Sequence, residues 1–332
     1  MKSKSCLFCL LIVIAAIFSW GLNSKAALSM PKERIFLFEE KISLKDTSAE
    51  PAALRLWIPY PISDNSQSIS DFEIISPFES SLISDKEYGN KIIYLKAGQG
   101  PAIKNTSPIT VSFKVRRKEL GPSSKLFLFE RNLSRFLKAD RLVPVNGEIK
   151  RLAEKITQGR GNDLEKVRAI YDYLIEELTY SKDDPKVCGI GDSLLTLEHK
   201  KGICTDYHSL FISLVRSLGI PAKFEIGFRI PGEAQEGKLN GYHCWAKFYL
   251  KDKGWIPVDI SEADKHPEKK EYFFGHIDEN RLRLTTGRDI RLKYAADAEP
   301  LNFFVYPYAE INGKRFYDIE TSISFKEEKG GG

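Results

Sequence analysis

From Ile35 to Val115, short apolar runs alternate with polar positions: Ile35–Phe38, Leu54–Ile58, Lys91–Leu95 and Ile109–Val115. Turn-forming pieces at Pro59–Pro61, Tyr88–Asn90 and Gly98–Pro101 separate them. Short strands punctuated in this way predict an antiparallel β-sandwich. Near Asn146 the period changes. Ile149, Leu152, Ala153 and Ile156 recur at helical spacing, and Gly159 can end the run. Asn162 is suited to cap a second helix, whose apolar stripe runs from Leu164 through Val167, Ile170 and Leu174 to Leu178. Asp192 predicts the cap of a short helix. Another helix follows Lys200-Lys201-Gly202, with Leu210, Phe211, Leu214, Val215 and Leu218 on its buried face, and ends at Gly219 before Pro221. Strands then return at Ala222–Ile230, Tyr242–Leu250 and Gly254–Asp259, with further short ones such as Asn302–Tyr306. Helices followed by an antiparallel sheet predict an α+β domain.

The length, 332 residues, suggests two domains. The expected layout is a signal peptide at 1–26, an N-terminal β-sandwich accessory domain at 27–125, a connecting stretch at 126–145, a catalytic domain with a C-terminal extension at 146–326, and a tail at 327–332. The first segment carries Lys2 and Lys4, then the apolar run Cys6–Phe18, then small residues at Ser24 and Ala26. That is the layout of a cleaved secretory signal, which implies a secreted or periplasmic protein. An uncleaved anchor is the alternative, but the stretch from Cys6 to Leu22 falls just short of a comfortable span. No other membrane segment is expected.

Hydrophobic residues at 42% and charged residues at 29% exclude a disordered chain and a multi-span membrane protein. Net charge is +5, and it falls to +2 once Lys2, Lys4 and Lys25 leave with the signal, so no whole-chain basic excess points to nucleic acid. Of five cysteines, Cys188, Cys204 and Cys244 remain after cleavage. An odd number in an oxidising compartment leaves at least one thiol unpaired within the monomer.

Cys204 sits at the start of a helix, where unpaired N–H groups and the positive end of the helix dipole favour a thiolate and can receive an oxyanion. Reading Tyr242–Leu250 with period two puts His243, Trp245, Lys247 and Tyr249 on the more polar face. Cys244 falls on the apolar face with Ala246 and Phe248, and so reads as a core residue. Asp259 ends the next strand, within reach of an imidazole. Nucleophile, general base and orienting carboxylate are the parts of a Cys-His-Asp site. His208, one helical turn after Cys204, and Trp245 are expected to support the site from behind. Asp206 is expected to bond locally in the first helical turn, where its charge would slightly oppose a thiolate. A Cys204/His208/His243 metal site is the rival chemistry; the helix-start cysteine and the His-to-Asp spacing argue against it. No metal and no cofactor is expected. Cys188 has no assigned role.

Gly202-Ile-Cys-Thr-Asp-Tyr-His-Ser-Leu-Phe211, Arg216-Ser-Leu-Gly-Ile-Pro-Ala222, Gly241-Tyr-His-Cys-Trp-Ala246 and Gly254-Trp-Ile-Pro-Val-Asp259 resemble the transglutaminase-like superfamily, in its secreted bacterial branch described as cysteine proteases. The resemblance implies a papain-like core with Cys204, His243 and Asp259 as a catalytic triad, preceded by an accessory β-domain. It implies acyl transfer from amide or peptide bonds of a peptide, protein or cell-wall substrate, to water or to an amine. A transglutaminase-like scaffold that binds protein or glycan partners without turnover is the alternative. The acyl donor, the acceptor and the oligomeric state stay open.

Overall fold

Six strands precede the first α-helix, with clean alternation of buried and exposed residues in β1 and β6: β1 (Glu33–Leu44), β2 (Ala52–Tyr60), β3 (Gln67–Ile75), β4 (Glu79–Ser84), β5 (Lys91–Gly100) and β6 (Ile109–Lys118). The computed structural model describes residues 32–45, 52–100, 108–121, 132–296 and 299–328. The expected signal peptide lies outside them. Next come α1 (Gly147–Ile156), α2 (Asp163–Glu177), β7 (Thr179–Tyr180), α3 (Ser193–His199), β8 (Lys201–Gly202) and α4 (Cys204–Ser217). The chain continues through β9 (Ala222–Arg229), β10 (Glu236–Lys238), β11 (His243–Leu250), β12 (Gly254–Val258), α5 (Ile260–Lys265) and β13 (Arg281–Thr286), and then β14 (Tyr308–Ile311), β15 (Lys314–Phe316) and β16 (Ile319–Glu327).

The fold is α+β: two five-stranded sheets form a β-sandwich, and a four-stranded sheet packs against helices. One five-stranded sheet runs β10-β16-β1-β6-β3, the other β15-β14-β2-β5-β4, and both are antiparallel. Phe36, Phe38 and Ile42 of β1, Leu54, Leu56 and Ile58 of β2, and Val111, Phe113 and Val115 of β6 form their common core. Glu40 shares this buried face of β1, and its Oε1 has no hydrogen-bond partner. The other face of the second sheet packs Trp57 and Tyr94 under Ile290 and Phe304.

Strands after residue 300 complete both sandwich sheets. β16 pairs with β1, with Phe325 opposite Phe38, and β14 pairs with β2, with Tyr308 opposite Trp57. Hydrogen bonds therefore cross the expected boundary at 145/146. Asn302–Tyr306 is not a strand. Its rings pack sideways on Tyr242, with Phe303 at 5.3 Å and Tyr306 at 6.2 Å between centroids, and Pro307 has no N–H for a ladder.

The helix-containing half holds the sheet β12-β11-β9-β13, with α4 packed on the Cys244/Ala246/Phe248 side of β11. Residues Cys204 to Arg216 of this helix are all buried. A helix sunk on every side must partner its polar groups internally. Arg216 does so through the Ala222 carbonyl at 2.8 Å and Asp140 at 2.6 Å. The caps agree with the sequence: Asn162 Oδ1 accepts from Glu165 N–H, and Asp192 Oδ1 accepts from Leu194 N–H. Among the described residues, no helix is long and apolar enough to cross a membrane.

Candidate active site

The helix that carries Cys204 starts where it does because Asp206 and Gly202 fix its first turn. Asp206 Oδ2 reaches back to the Ile203 N–H at 2.7 Å, satisfying a donor that the helix leaves free. The same carboxylate accepts from Gly189 N–H at 2.6 Å and Gly191 N–H at 2.8 Å, tying the preceding loop to the helix. A Cβ on Gly202 would stand 2.4 Å from Asp206 Cβ, so only glycine fits. The short parallel pair β7–β8 holds Gly202 opposite Tyr180. Cys204 thus begins α4 on a rigid support; the Asp206 amide bonds the Ile203 carbonyl at 3.0 Å, while a helix start leaves the amides of Cys204 and Thr205 no acceptor within the helix.

β11 brings the other predicted residues to Cys204. His243 Nε2 lies 2.7 Å from Asp259 Oδ2, which leaves Nδ1 for another partner, and Cys204 is one of the groups that raise the imidazole's pKa. Asp259 caps α5: its Oδ1 accepts from Glu262 N–H and Ser261 Oγ, both at 3.1 Å. All three residues are buried. Burial pushes the Asp259 carboxyl up, but the charges of His243 and Arg281 more than reverse this and hold it well below the usual range. Burial likewise disfavours the His243 imidazolium, yet Asp259 carries its pKa up to about 9. The Cys204 thiol is held well below its ordinary value, first by a hydrogen bond from Cys244 and then, against burial, by the hydrogen bond and charge of His243. The arrangement supports a thiolate beside an imidazolium.

The other residues singled out in the sequence lie around this centre. His208 Nε2 accepts from Ile260 N–H at 3.0 Å, so Nδ1 carries the hydrogen that meets the Cys204 carbonyl at 2.7 Å. Both nitrogens are thus engaged with backbone, which removes His208 from a ligand set with Cys204 and His243. Among the described residues, no three His, Cys, Asp or Glu side chains are grouped as metal ligands. Burial raises the Asp206 carboxyl, and its three amide donors act in the opposite direction. Trp245 lies 6.2 Å from the His243 ring, and its Nε1 donates to Glu225 at 2.8 Å. Cys188, Cys204 and Cys244 are free thiols.

Two features differ from the sequence reading. The His243/Trp245/Lys247 side of β11 is polar yet buried. Glu225 satisfies Trp245 and Lys247 there, and Leu120 and Ile277 close over Trp245. Cys244 is a core residue as expected, and within the core it meets the first turn of α4, with Sγ 3.9 Å from Thr205 Oγ1. The sequence also gave no notice of Arg281, whose Nη2 donates to Asp259 Oδ2 at 2.9 Å. An arginine 22 positions beyond its partner carries no local signature.

Cavities border segments that adjoin the site, though none of Cys204, His243 and Asp259 lines them. One, of about 740 Å³, is lined by Gly189, Ile190, Asn302 and Phe303. The other, of about 480 Å³, is lined by Asn240, Gly241, Tyr306 and Tyr317. Gly189 is bonded to Asp206, and Gly241 lies two residues before His243. Tyr242, between them, shares a 2.7 Å hydrogen bond with Thr205 Oγ1.

A buried thiol at the start of α4, an imidazole at the start of β11 and a carboxylate capping α5 thus make up the centre. Residues 150–260 match the family model of the transglutaminase-like superfamily, and the chain contains a transglutaminase-like core domain. An uncharacterized protein of Haemophilus influenzae is 25% identical, over 91% of this chain and 94% of that protein. Uncharacterized protein YebA of Bacillus subtilis is 26% identical over 48% of this chain, but only 23% of its own length is matched. The crystal structure of a putative cysteine protease from Cytophaga hutchinsonii shares the fold, with a TM-score of 0.57, 19% identity, and coverage of 90% of this chain and 92% of that one.

Proposed function

We propose that the protein is a secreted or periplasmic thiol acyl-transfer enzyme acting on amide or peptide bonds through Cys204, His243 and Asp259. The observation that carries this reading is the 2.7 Å bond from His243 Nε2 to Asp259, which leaves the other ring nitrogen for Cys204. In the forward step the Cys204 thiolate adds to the carbonyl carbon. The oxyanion is received by the first-turn amides of α4. His243 gives its proton to the leaving amine as the C–N bond breaks, and a thioester remains. Water or an amine then adds to the thioester while His243 takes up its proton. The C–S bond breaks, the electron pair returns to sulfur, and the thiolate–imidazolium pair is restored. Water makes the enzyme a protease or amidase, and an amine makes it a transglutaminase.

The substrate class in this reading is a peptide, protein or cell-wall amide. The apolar N-terminal run supports export. The test is labelling with a thiol-directed acyl probe, followed by a screen of peptides and cell-wall fragments. Probe uptake is expected in the parent protein and not in Cys204→Ala. Equal labelling of both, with activity intact, would overturn the nucleophile assignment. Slow labelling only at alkaline pH would favour a silent scaffold.

A further inference from the structure

The cavities of about 740 Å³ and about 480 Å³ meet at the β14–β15 hairpin, where Tyr308 and Arg315 stand in the walls of both. Among the described residues that line the smaller cavity, Arg315 alone carries a charge. Its guanidinium lies between two tyrosine rings, 5.2 Å from the centroid of Tyr308 and 4.7 Å from that of Tyr317. Stacking on rings fixes the cation without engaging its N–H donors with a carboxylate. No carboxylate among the described residues forms an ion pair with it. Glu310, opposite Arg315 in the ladder, is buried, accepts from the Ala296 N–H at 3.1 Å and pairs with Arg55 at 3.8 Å. Arg141, the other arginine of the larger cavity, pairs with Glu299 and Asp289. The smaller cavity leads towards the candidate centre. Gly241 in its wall is two residues before His243, a span of roughly 7 Å at full extension. The Tyr306 ring, also in its wall, lies 6.2 Å from Tyr242, whose hydroxyl shares the 2.7 Å bond with Thr205 beside Cys204.

We propose that Arg315 is a specificity-determining residue that binds a carboxylate of the acyl donor, a few residues from the amide that Cys204 attacks. This assignment rests on the acyl-transfer reading above. A guanidinium presents two parallel N–H groups to a carboxylate, which adds direction to the charge attraction. The carboxylate belongs either to an Asp or Glu side chain of the donor or to the free end of its chain; the recognition chemistry is the same. Tyr317 is 73% exposed and stands at the cavity's rim, where its ring can cover the methylene groups beside the bound carboxylate. A donor with Lys or Arg at that position would meet a like charge and be turned away. The rest of the smaller cavity's lining is uncharged, so the choice between acidic and neutral donors falls to Arg315.

The test is competitive turnover of randomised peptides, to water or to added cadaverine, read by mass spectrometry. One library has amidated C-termini, so that its carboxylates come only from Asp and Glu. The other has free C-termini and neutral side chains. Fluorescein-labelled peptides bound to the Cys204→Ala protein give a second readout that needs no turnover. The parent is expected to favour a carboxylate at one fixed position over the matching amide by about tenfold in kcat/KM. Arg315→Gln should bring that ratio close to one, and Arg315→Lys should keep part of it. Arg315→Glu should select Lys and Arg at the same position. Arg315 is exposed, so none of these changes disturbs the core. A parent without carboxylate preference in turnover and in binding would overturn the proposal. So would a preference that Arg315→Gln and Arg315→Glu leave unchanged, with acyl transfer still standing. Carboxylate-selective binding that Arg315→Gln abolishes, in a parent that turns over no peptide, would keep the carboxylate site and overturn the acyl-transfer reading instead.

Discussion

Arg281 Nη2 lies 2.9 Å from Asp259 Oδ2, the same oxygen that meets His243 Nε2 at 2.7 Å. One carboxylate oxygen thus holds two cations, all within the protein interior. The guanidinium keeps Asp259 charged and, as a neighbouring cation, limits how far the imidazole's pKa climbs. Arg281→Met should leave a buried carboxylate with half its support and cost about 3–5 kcal/mol of stability. In the folded fraction, removing the opposing charge should move the loss of the His243 proton to higher pH. Chemical denaturation and the alkaline limb of the pH–rate profile measure the two effects separately.

The two halves of the charge pair predict different pH behaviour for two reactions. Alkylation needs only the thiolate, so it should rise at a pH well below the ordinary thiol value of 9.0 and stay high above it. Acyl transfer also needs the imidazolium to protonate the leaving amine. It should rise with the same acid limb and fall again as His243 deprotonates near pH 9. Parallel profiles, measured with iodoacetamide and with an amide substrate, check this. Profiles that coincide at alkaline pH would mean that His243 is not the acid.

Replacing Cys204 by Ser should preserve the fold, because the residue is small and lies at a helix start, but acyl transfer should fall by at least 10³-fold. A hydroxyl has no comparable tendency to ionise in this site. Circular dichroism and turnover, compared side by side, separate the two effects.

The catalytic half was legible because its signals are local. Caps at Asn162 and Asp192, the stripe of α2, and the Gly219-Ile220-Pro221 stop each act within a few residues of themselves. The sequence-predicted Cys204, His243 and Asp259 are brought together because short turns fix the strands that carry two of them. What could not be read was set by distant packing. β3 and β4 expose most of their residues, so no clean alternation marks them. The burial of the polar β11 face had no local sign, because the Glu225 that satisfies Trp245 and Lys247 lies on another strand. Arg281 and the C-terminal strand pairings depend on contacts between remote segments.

Gly202→Ala would drive a methyl group into the Asp206 side chain, at 2.4 Å from its Cβ. Asp206 can yield only by dropping the amides of Gly189, Gly191 and Ile203. The expected cost is about 2–4 kcal/mol, with slower alkylation of Cys204 as the helix start loosens. Denaturant midpoints and the alkylation rate at pH 7 provide the measurement.

Glu40 supplies a stability test outside the active site. Burial pushes its carboxyl up from 4.5 to about 8. A raised folded-state value means that its contribution is fully present below pH 4.5 and is lost as pH rises through about 8. Glu40→Met should remove this slope and make the variant a few kcal/mol more stable than the parent at pH 8.5. Melting temperatures compared at pH 4 and pH 8.5 give the answer; an equal difference at both pH values would refute it.

The pairing of β1 with β16, Phe36 opposite Glu327, sets an order on the chain's own completion. Until β16 is made, β1 has β6 on one side and an open ladder on the other. An open ladder of nine register positions is a template for other chains. The late strand therefore acts as a seal: a chain cut short before it would carry Cys204, His243 and Asp259 and yet present the sticky edge of an unfinished sheet. Any C-terminal deletion into β16 would be read first as aggregation and only secondarily as lost activity.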